Sequence, residues 1–139
     1  MFIGWIRQDS FIDDLEQLSK DILIDQNLTI NTFNTNPSLT FGVYDKDKLC
    51  AFIGAYEFES YVLINSFYYI QKVSSQSKKK LIELLLTNLE QIQKSIIILS
   101  KYDELKTFES FKFKKYAQFT RAIYSGGAVF DFPSSMDKS

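Results

Sequence analysis

Histidine does not occur among the 139 residues of this chain. That excludes every histidine-based catalytic triad and every histidine-ligated zinc site. Cysteine occurs once, at Cys50, so no internal disulfide can form. Without an imidazole to take its proton, that thiol reads as a buried structural group inside an apolar strand. Glycine (5) and proline (2) are sparse, and neither G-x-G-x-x-G nor a Walker-type loop can be found, which removes the glycine-based nucleotide fingerprints. No apolar run approaches the roughly 18–20 residues of a membrane span, and the opening MFIGWIRQDS lacks the basic and apolar regions of a secretion signal. Neither sign of charge is in excess, with 16 basic against 17 acidic residues, which argues against general nucleic-acid affinity. The expectation is a cytoplasmic protein that takes no metal, nucleic acid or membrane as partner.

What the chain does contain is apolar and aromatic: 45% hydrophobic residues and 16% aromatic ones. That is ample for one substantial core, so a single domain is expected over 1–133, with a loose tail over 134–139 after Pro133. The informative stretch is 61–100. Residues 61–70 (YVLINSFYYI) have a strand's length and its β-branched and aromatic content. A serine-rich loop over 71–77 follows. Apolar residues at Leu81, Leu85, Leu89 and Ile92 then predict a helix over 78–93. Residues 95–99 (SIIIL) read as a strand covered on both sides. Two strands joined through a helix are most simply parallel, with a right-handed crossover.

The expected first turn of that helix carries Lys78, Lys79 and Lys80. Cations oppose the partial positive charge at a helix N-terminus by about 0.3–1 kcal/mol each when exposed. An anion docking there would reverse the sign, because the N–H groups, the dipole and the ammonium groups would all favour it. The bland alternative is that three long side chains extend into screened solvent.

The remaining elements follow in order. Residues 1–7 predict a first strand. Ser10 is a good helix N-cap, and Phe11, Leu15, Leu18 and Ile22 give an amphipathic helix ending near Leu23. Residues 25–38, polar with four asparagines, read as a loop with room for a helical turn. A hairpin is expected from strands over 39–44 and 49–59, with Cys50, Phe52, Tyr56 and Phe58 on one face and Leu49, Ala51, Ile53 and Ala55 on the other. Glu57 and Glu59 then share one side at the strand end, either as solvated residues or as a general base. Beyond residue 100, Asp103 can cap a short helix with Leu105, Phe108 and Phe111 inward. Strands over 116–124 and 128–132 flank a Gly126–Gly127 turn.

This order of elements resembles the GNAT superfamily of acyl-CoA-dependent N-acetyltransferases. Two passages carry the likeness: GVYDKDKLCAFIGAYE, similar to that family's central hairpin, and ILSKYDELKTFESFKFKKY, similar to its strand, short helix and "FYEKLGF" stretch. The resemblance implies an α+β, α/β/α sandwich whose central sheet is mixed and mostly antiparallel, about seven strands with one splayed parallel pair. It implies acetyl-CoA as acyl donor and a small-molecule or peptide amine as acceptor. The pantetheine would lie between the splayed strands, gripped by backbone N–H groups of a bulge around Ile70, Gln71, Lys72 and Val73. The pyrophosphate would lie on the helix N-terminus. The family's loop reads Gln/Arg-x-x-Gly-x-Gly/Ala, and the matching text is Gln76, Ser77, Lys78, Lys79, Lys80 and Leu81, with Lys79 and Leu81 in place of the glycines, or the same motif one residue earlier. Where the family's tyrosine protonates the departing thiolate this chain has Phe108, which cannot donate; Tyr102 is the expected substitute, ahead of Tyr116. Glu57 or Glu59 would be the base, and Asn65, Tyr68 and Tyr69 would line the acceptor side. The alternative is a related domain that has lost catalysis and serves binding or regulation. The last strand, 128–132, would offer an edge to a second copy.

Overall fold

A computed structural model of the chain describes residues 1–98, together with Lys106 and Phe108. The elements are β1 (Phe2–Trp5), a 3₁₀ turn (Gln8–Ser10), α1 (Phe11–Leu18), α2 (Gln26–Thr35), a second 3₁₀ turn (Pro37–Leu39), β2 (Thr40–Asp45), β3 (Lys48–Glu57), β4 (Tyr61–Tyr69), α3 (Ser75–Glu90) and β5 (Ser95–Ile98). The described strands form a five-stranded sheet in the order β1-β2-β3-β4-β5. Its first three pairings are antiparallel, and β4–β5 is parallel. The expected mixed, mostly antiparallel sheet is thus present, with five of its strands among the described residues. The strands expected over 116–124 and 128–132, the Gly126–Gly127 turn and Tyr102 lie outside the described residues. Lys106 and Phe108 are both helical, and Phe108 is fully buried.

Helices cover both faces of the sheet because each strand interior is apolar on both sides. On one face α3 sets Leu81, Ile82, Leu85 and Leu89 against Phe41, Val43, Ala51, Ile53, Ala55, Val62 and Ile64. On the other, Phe11, Leu15 and Leu18 of α1 and Phe33 of α2 close over Tyr44, Leu49 and Phe52. The Phe11 ring lies 4.5 Å from Phe33 and 5.7 Å from Phe52, centroid to centroid.

Two extra residues in the sheet change which side chains share a face. Between Val43↔Ala51 and Tyr44↔Leu49 the register shifts by one, which makes Cys50 the additional residue of a bulge. A bulge reverses the in–out alternation beyond it. Cys50 therefore joins Ala51 and Ile53 on the α3 side, and Leu49 joins Phe52 on the α1 side. Strict alternation had placed both residues on the opposite faces. The second shift separates Gly54↔Ser66 from Ala55↔Ile64 and makes Asn65 the extra residue of β4.

Segment 25–38 is not a loop. Asp25 Oδ1 accepts from the Leu28 N–H at 3.0 Å and caps a ten-residue helix. Three threonines return their hydroxyls to the backbone one turn earlier: Thr29 to Asp25 O, Thr32 to Leu28 O and Thr35 to Asn31 O, at 2.7–2.8 Å. Thr29 and Thr32 are fully buried beside Phe33. An inward face built of threonine carries no apolar periodicity, which is why the pattern hid the helix. Helix α1 also stops at Leu18, short of Leu23, whose side chain is 96% exposed.

Candidate functional site

The β4–α3 junction collects most of the residues singled out from the sequence. Strand β4 pairs with β5 from Tyr61↔Ser95 to Ile64↔Ile98. Ile98 is the last described residue of β5, and the two strands are paired along all of its described length. The bulge of β4 lies mid-strand at Asn65, and not around Ile70–Val73 as expected. It carries Phe67 and Tyr69 to the α3 side with Val62 and Ile64, while Tyr68 goes to the α1 side. Asn65 turns toward α2, where its Nδ2 donates to Thr32 Oγ1 at 3.1 Å. Asn65 and Tyr68 therefore lie on one face of the sheet and Tyr69 on the other.

After β4 the chain closes tightly. The Ile70 N–H donates to Cys50 O at 3.0 Å and the Val73 N–H to Ile70 O at 3.1 Å, and Val73 is buried. Lys72 Nζ is bound to Asp45 Oδ2 at 2.9 Å across the surface. That hydrogen bond, followed by the charge of Lys72, holds the Asp45 carboxyl below its usual pKa. The same contact raises the Lys72 ammonium. Both side chains are exposed, so the pair orders the turn more than it stabilises the fold.

Helix α3 begins at Ser75, three residues before the expected start. Ser74 has extended backbone (φ −69°, ψ 158°), and its Oγ accepts from the Ser77 N–H at 3.1 Å, a serine N-cap. The first turn is therefore Ser75, Gln76 and Ser77, and the three lysines occupy the second. This relieves part of the dipole conflict, which fades within a turn. Among the described residues the N–H groups of Ser75 and Gln76 have no hydrogen-bond partner. Lys78 Nζ sits 4.1 Å above the Tyr69 ring, a cation–π contact that fixes one ammonium over the strand end. Lys79 and Lys80 are exposed.

These residues fit a diphosphate on the helix end. Leu81, read from the sequence as a motif position, is a fully buried core residue facing the sheet. Its side chain is out of reach of a ligand at the surface and leaves the outer face of the first turn clear. Phe108 is likewise core, edge-on to Phe67 at 5.7 Å.

The two glutamates stand at the other end of β4. Glu57, opposite Val62, is tied by Glu57 Oε2 to Lys94 Nζ at 2.8 Å, and Lys94 also donates to Phe58 O at 2.8 Å. Glu59 is exposed in the bend after β3. Around them the Phe58 ring stacks on Tyr61 at 4.8 Å and meets Tyr56 at a tilt, 4.7 Å between centroids. Burial raises the Tyr61 pKa. Among the described residues no helix is long and apolar enough to cross a membrane.

No family model matches the chain. No curated protein matches it in sequence. Solved structures do match. One is a Pyrococcus horikoshii protein named an acetyltransferase (12% identity, TM-score 0.64), aligned over 80% of this chain and 42% of that one, so this chain spans less than half of that relative. Another is Arabidopsis thaliana Naa50 in complex with the bisubstrate analogue CoA-Ac-MVNAL (13%, TM-score 0.60, over 79% of this chain and 80% of that one). A third is Chaetomium thermophilum Naa20 with a bisubstrate analogue (11%, TM-score 0.61, 81% and 68%).

Proposed function

We propose that this chain, whose fold is that of the GNAT acetyltransferases, transfers an acetyl group from acetyl-CoA to a primary amine of a small molecule or peptide, in the cytoplasm. One observation carries the reading: β4, the strand that pairs in parallel with β5, breaks register at Asn65 and then runs into the N-terminus of α3. A bulge at that point bends a strand and leaves backbone groups outside the ladder, where they can bind a ligand. The solved relatives with bisubstrate analogues make a peptide amine a reasonable acceptor class.

Acetyl-CoA supplies an activated acetyl group and a thiolate as leaving group. The open N–H groups of Ser75 and Gln76 with Lys78, Lys79 and Lys80 receive its diphosphate. The turn from Ile70 through Gln71 and Lys72 to Val73 borders the arm, and a backbone N–H presented by the Asn65 bulge would polarise the carbonyl. Glu59, or Glu57 if released from Lys94, takes the proton of the amine, directly or through water. Tyr102 gives a proton to the thiolate, a task suited to a phenol. Holding amine and carbonyl in line supplies several kcal/mol of the barrier.

A second reading, a related domain that has lost catalysis and serves binding or regulation, is favoured by Leu81 and Phe108, which occupy the core where the family's motifs need a small residue and a proton donor. Two measurements separate the readings. Acetyl-CoA at about 100 times its Kd should add about 2.7 kcal/mol of stability, read as a thermal shift. A thiol-release assay across an amine panel then reads turnover. Binding without thiol release supports the second reading, and no thermal shift at millimolar acetyl-CoA rejects the first.

A further inference from the structure

We propose that Thr32 of α2 is a positioning residue that acts through Asn65 to set the aim of the β4 bulge; this rests on the transferase reading above. Three independent features meet at this point. The register shift makes Asn65 the extra residue of β4. Asn65 Nδ2 donates to Thr32 Oγ1 at 3.1 Å, Thr32 Oγ1 donates to Leu28 O at 2.8 Å, and Ser66 Oγ donates to Asn65 Oδ1 at 3.2 Å. Thr32 and Ser66 are buried, so water does not compete for their hydroxyls. Finally, Gly54, opposite Ser66, lacks a side chain where α2 comes close: a Cβ there would lie 3.2 Å from Thr32 Cγ2.

The hydrogen-bond chain runs in one direction, from Ser66 through Asn65 and Thr32 to a carbonyl of α2. Each hydroxyl has one proton to give; Thr32 Oγ1 lies 2.8 Å from Leu28 O and 3.4 Å from Asn65 Oδ1, so the proton goes to the nearer carbonyl and Thr32 meets Asn65 Nδ2 as an acceptor. That orientation fixes the carboxamide of Asn65. With the side chain held at both ends, the extra residue has one backbone arrangement instead of several. A bulge without such a tether samples neighbouring conformations, and its N–H groups lose their aim. Helix α2 thus meets β4 through a hydroxyl, beside the apolar contact that Phe33 makes with the sheet, which accounts for a buried threonine where a valine would pack equally well.

The test compares Thr32→Val, which keeps shape and removes the hydroxyl, with Thr32→Ser, which keeps the hydroxyl. Thr35→Val is the control: it deletes the same kind of threonine-to-backbone bond on an exposed face of α2, away from Asn65. In Thr32→Val, kcat for acetyl transfer should fall about 10- to 100-fold with KM for acetyl-CoA within twofold, since sub-ångström misplacement acts on alignment rather than on donor binding. Amide hydrogen exchange at Asn65 and Ser66 should rise at least tenfold in the ligand-free protein. Thr32→Ser should restore both, and Thr35→Val should change neither. Unchanged exchange at Asn65 and Ser66 in Thr32→Val overturns the tether whatever the activity. Faster exchange with unchanged kcat overturns the positioning role. A wild-type chain inert toward every amine removes the transferase reading and that role together, while the exchange comparison still reads the tether by itself.

Discussion

Replacing Gly54 by alanine should destabilise the protein by about 1–3 kcal/mol, the usual cost of inserting one methyl group into a filled interior. The methyl would lie 2.9 Å from Phe52 Cε1 and 3.2 Å from Thr32 Cγ2. Neither neighbour can yield cheaply. The Phe52 ring is fully buried and stacked on Phe11, and Thr32 is held in its helix and to Asn65. Gly4 provides the contrast within the same sheet. A Cβ at Gly4 would come within 2.7 Å of the Phe2 ring, a shorter contact, but Phe2 is 52% exposed and its ring can swing into solvent. Gly4→Ala should therefore cost less than about 0.5 kcal/mol, the range of ordinary surface changes. Urea denaturation followed by circular dichroism measures both, with Cm falling for Gly54→Ala and m unchanged for either variant. For a chain of this size the thermal midpoint of Gly54→Ala should drop by roughly 3–12 °C. Equal effects at the two glycines, or a neutral Gly54→Ala, would refute the claim that α2 is seated on the sheet through that missing side chain.

Changing Lys78, Lys79 and Lys80 together to alanine should weaken acetyl-CoA binding by about 1–3 kcal/mol in total at low salt, the range for three exposed charge contacts. The deficit should shrink as ionic strength rises; isothermal titration at two salt concentrations reads it, and an unchanged Kd would remove the lysines from the site. Leu81→Gly, which restores a motif glycine, should nevertheless destabilise by about 3–6 kcal/mol, combining loss of a buried leucine with glycine inside a helix; a stable variant with improved donor affinity would contradict the placement of Leu81 in the core. Tyr44 is buried, and burial raises its pKa, partly offset by the Arg7 N–H that its hydroxyl accepts at 3.0 Å. The neutral phenol is thus favoured by folding, and its contribution is intact below the ordinary tyrosine pKa of about 10 and is lost as pH rises through the raised value. Tyr44→Phe should flatten the alkaline fall in stability while costing about 0.5–1.5 kcal/mol at neutral pH for the lost hydrogen bond; an alkaline unfolding curve identical to wild type would refute it.

Much of the sheet could be read in advance because its strands are unusually apolar. Phe41, Val43, Ala51, Ile53, Val62 and Ile64 are all buried, and the crossover from β4 through α3 to a parallel β5 follows from them. The sequence pattern failed where polar residues do an apolar residue's work or where the ladder gains a residue. Helix α2 turns Thr29 and Thr32 inward, so its buried face looks like a loop. The Cys50 bulge exchanged the faces of Leu49 and Cys50. Ser74 capped α3 three residues early, since one serine among the three at positions 74, 75 and 77 looks like another until the Ser77 N–H finds its partner. At the site, the run of lysines was visible, but the Lys78–Tyr69 contact depends on the bulge that brings Tyr69 to the α3 side. No local feature of YVLINSFYYI marks Asn65 as that bulge.

The extra residue in β4 makes the length of this strand as constrained as its composition. Pairing β4 in strict alternation with Asn65 counted as a regular residue would leave Val62 and Ile64 in place and rotate everything from Ser66 onward by half a turn about the strand axis. Phe67 and Tyr69 would leave the side that α3 covers, and Tyr68 would be driven in beneath Lys78. Insertions and deletions should accordingly be tolerated in the exposed bend at Phe58–Ser60 and rejected within β4, except at the bulge itself, where losing Asn65 leaves Val62, Ile64, Phe67 and Tyr69 on the faces they now occupy.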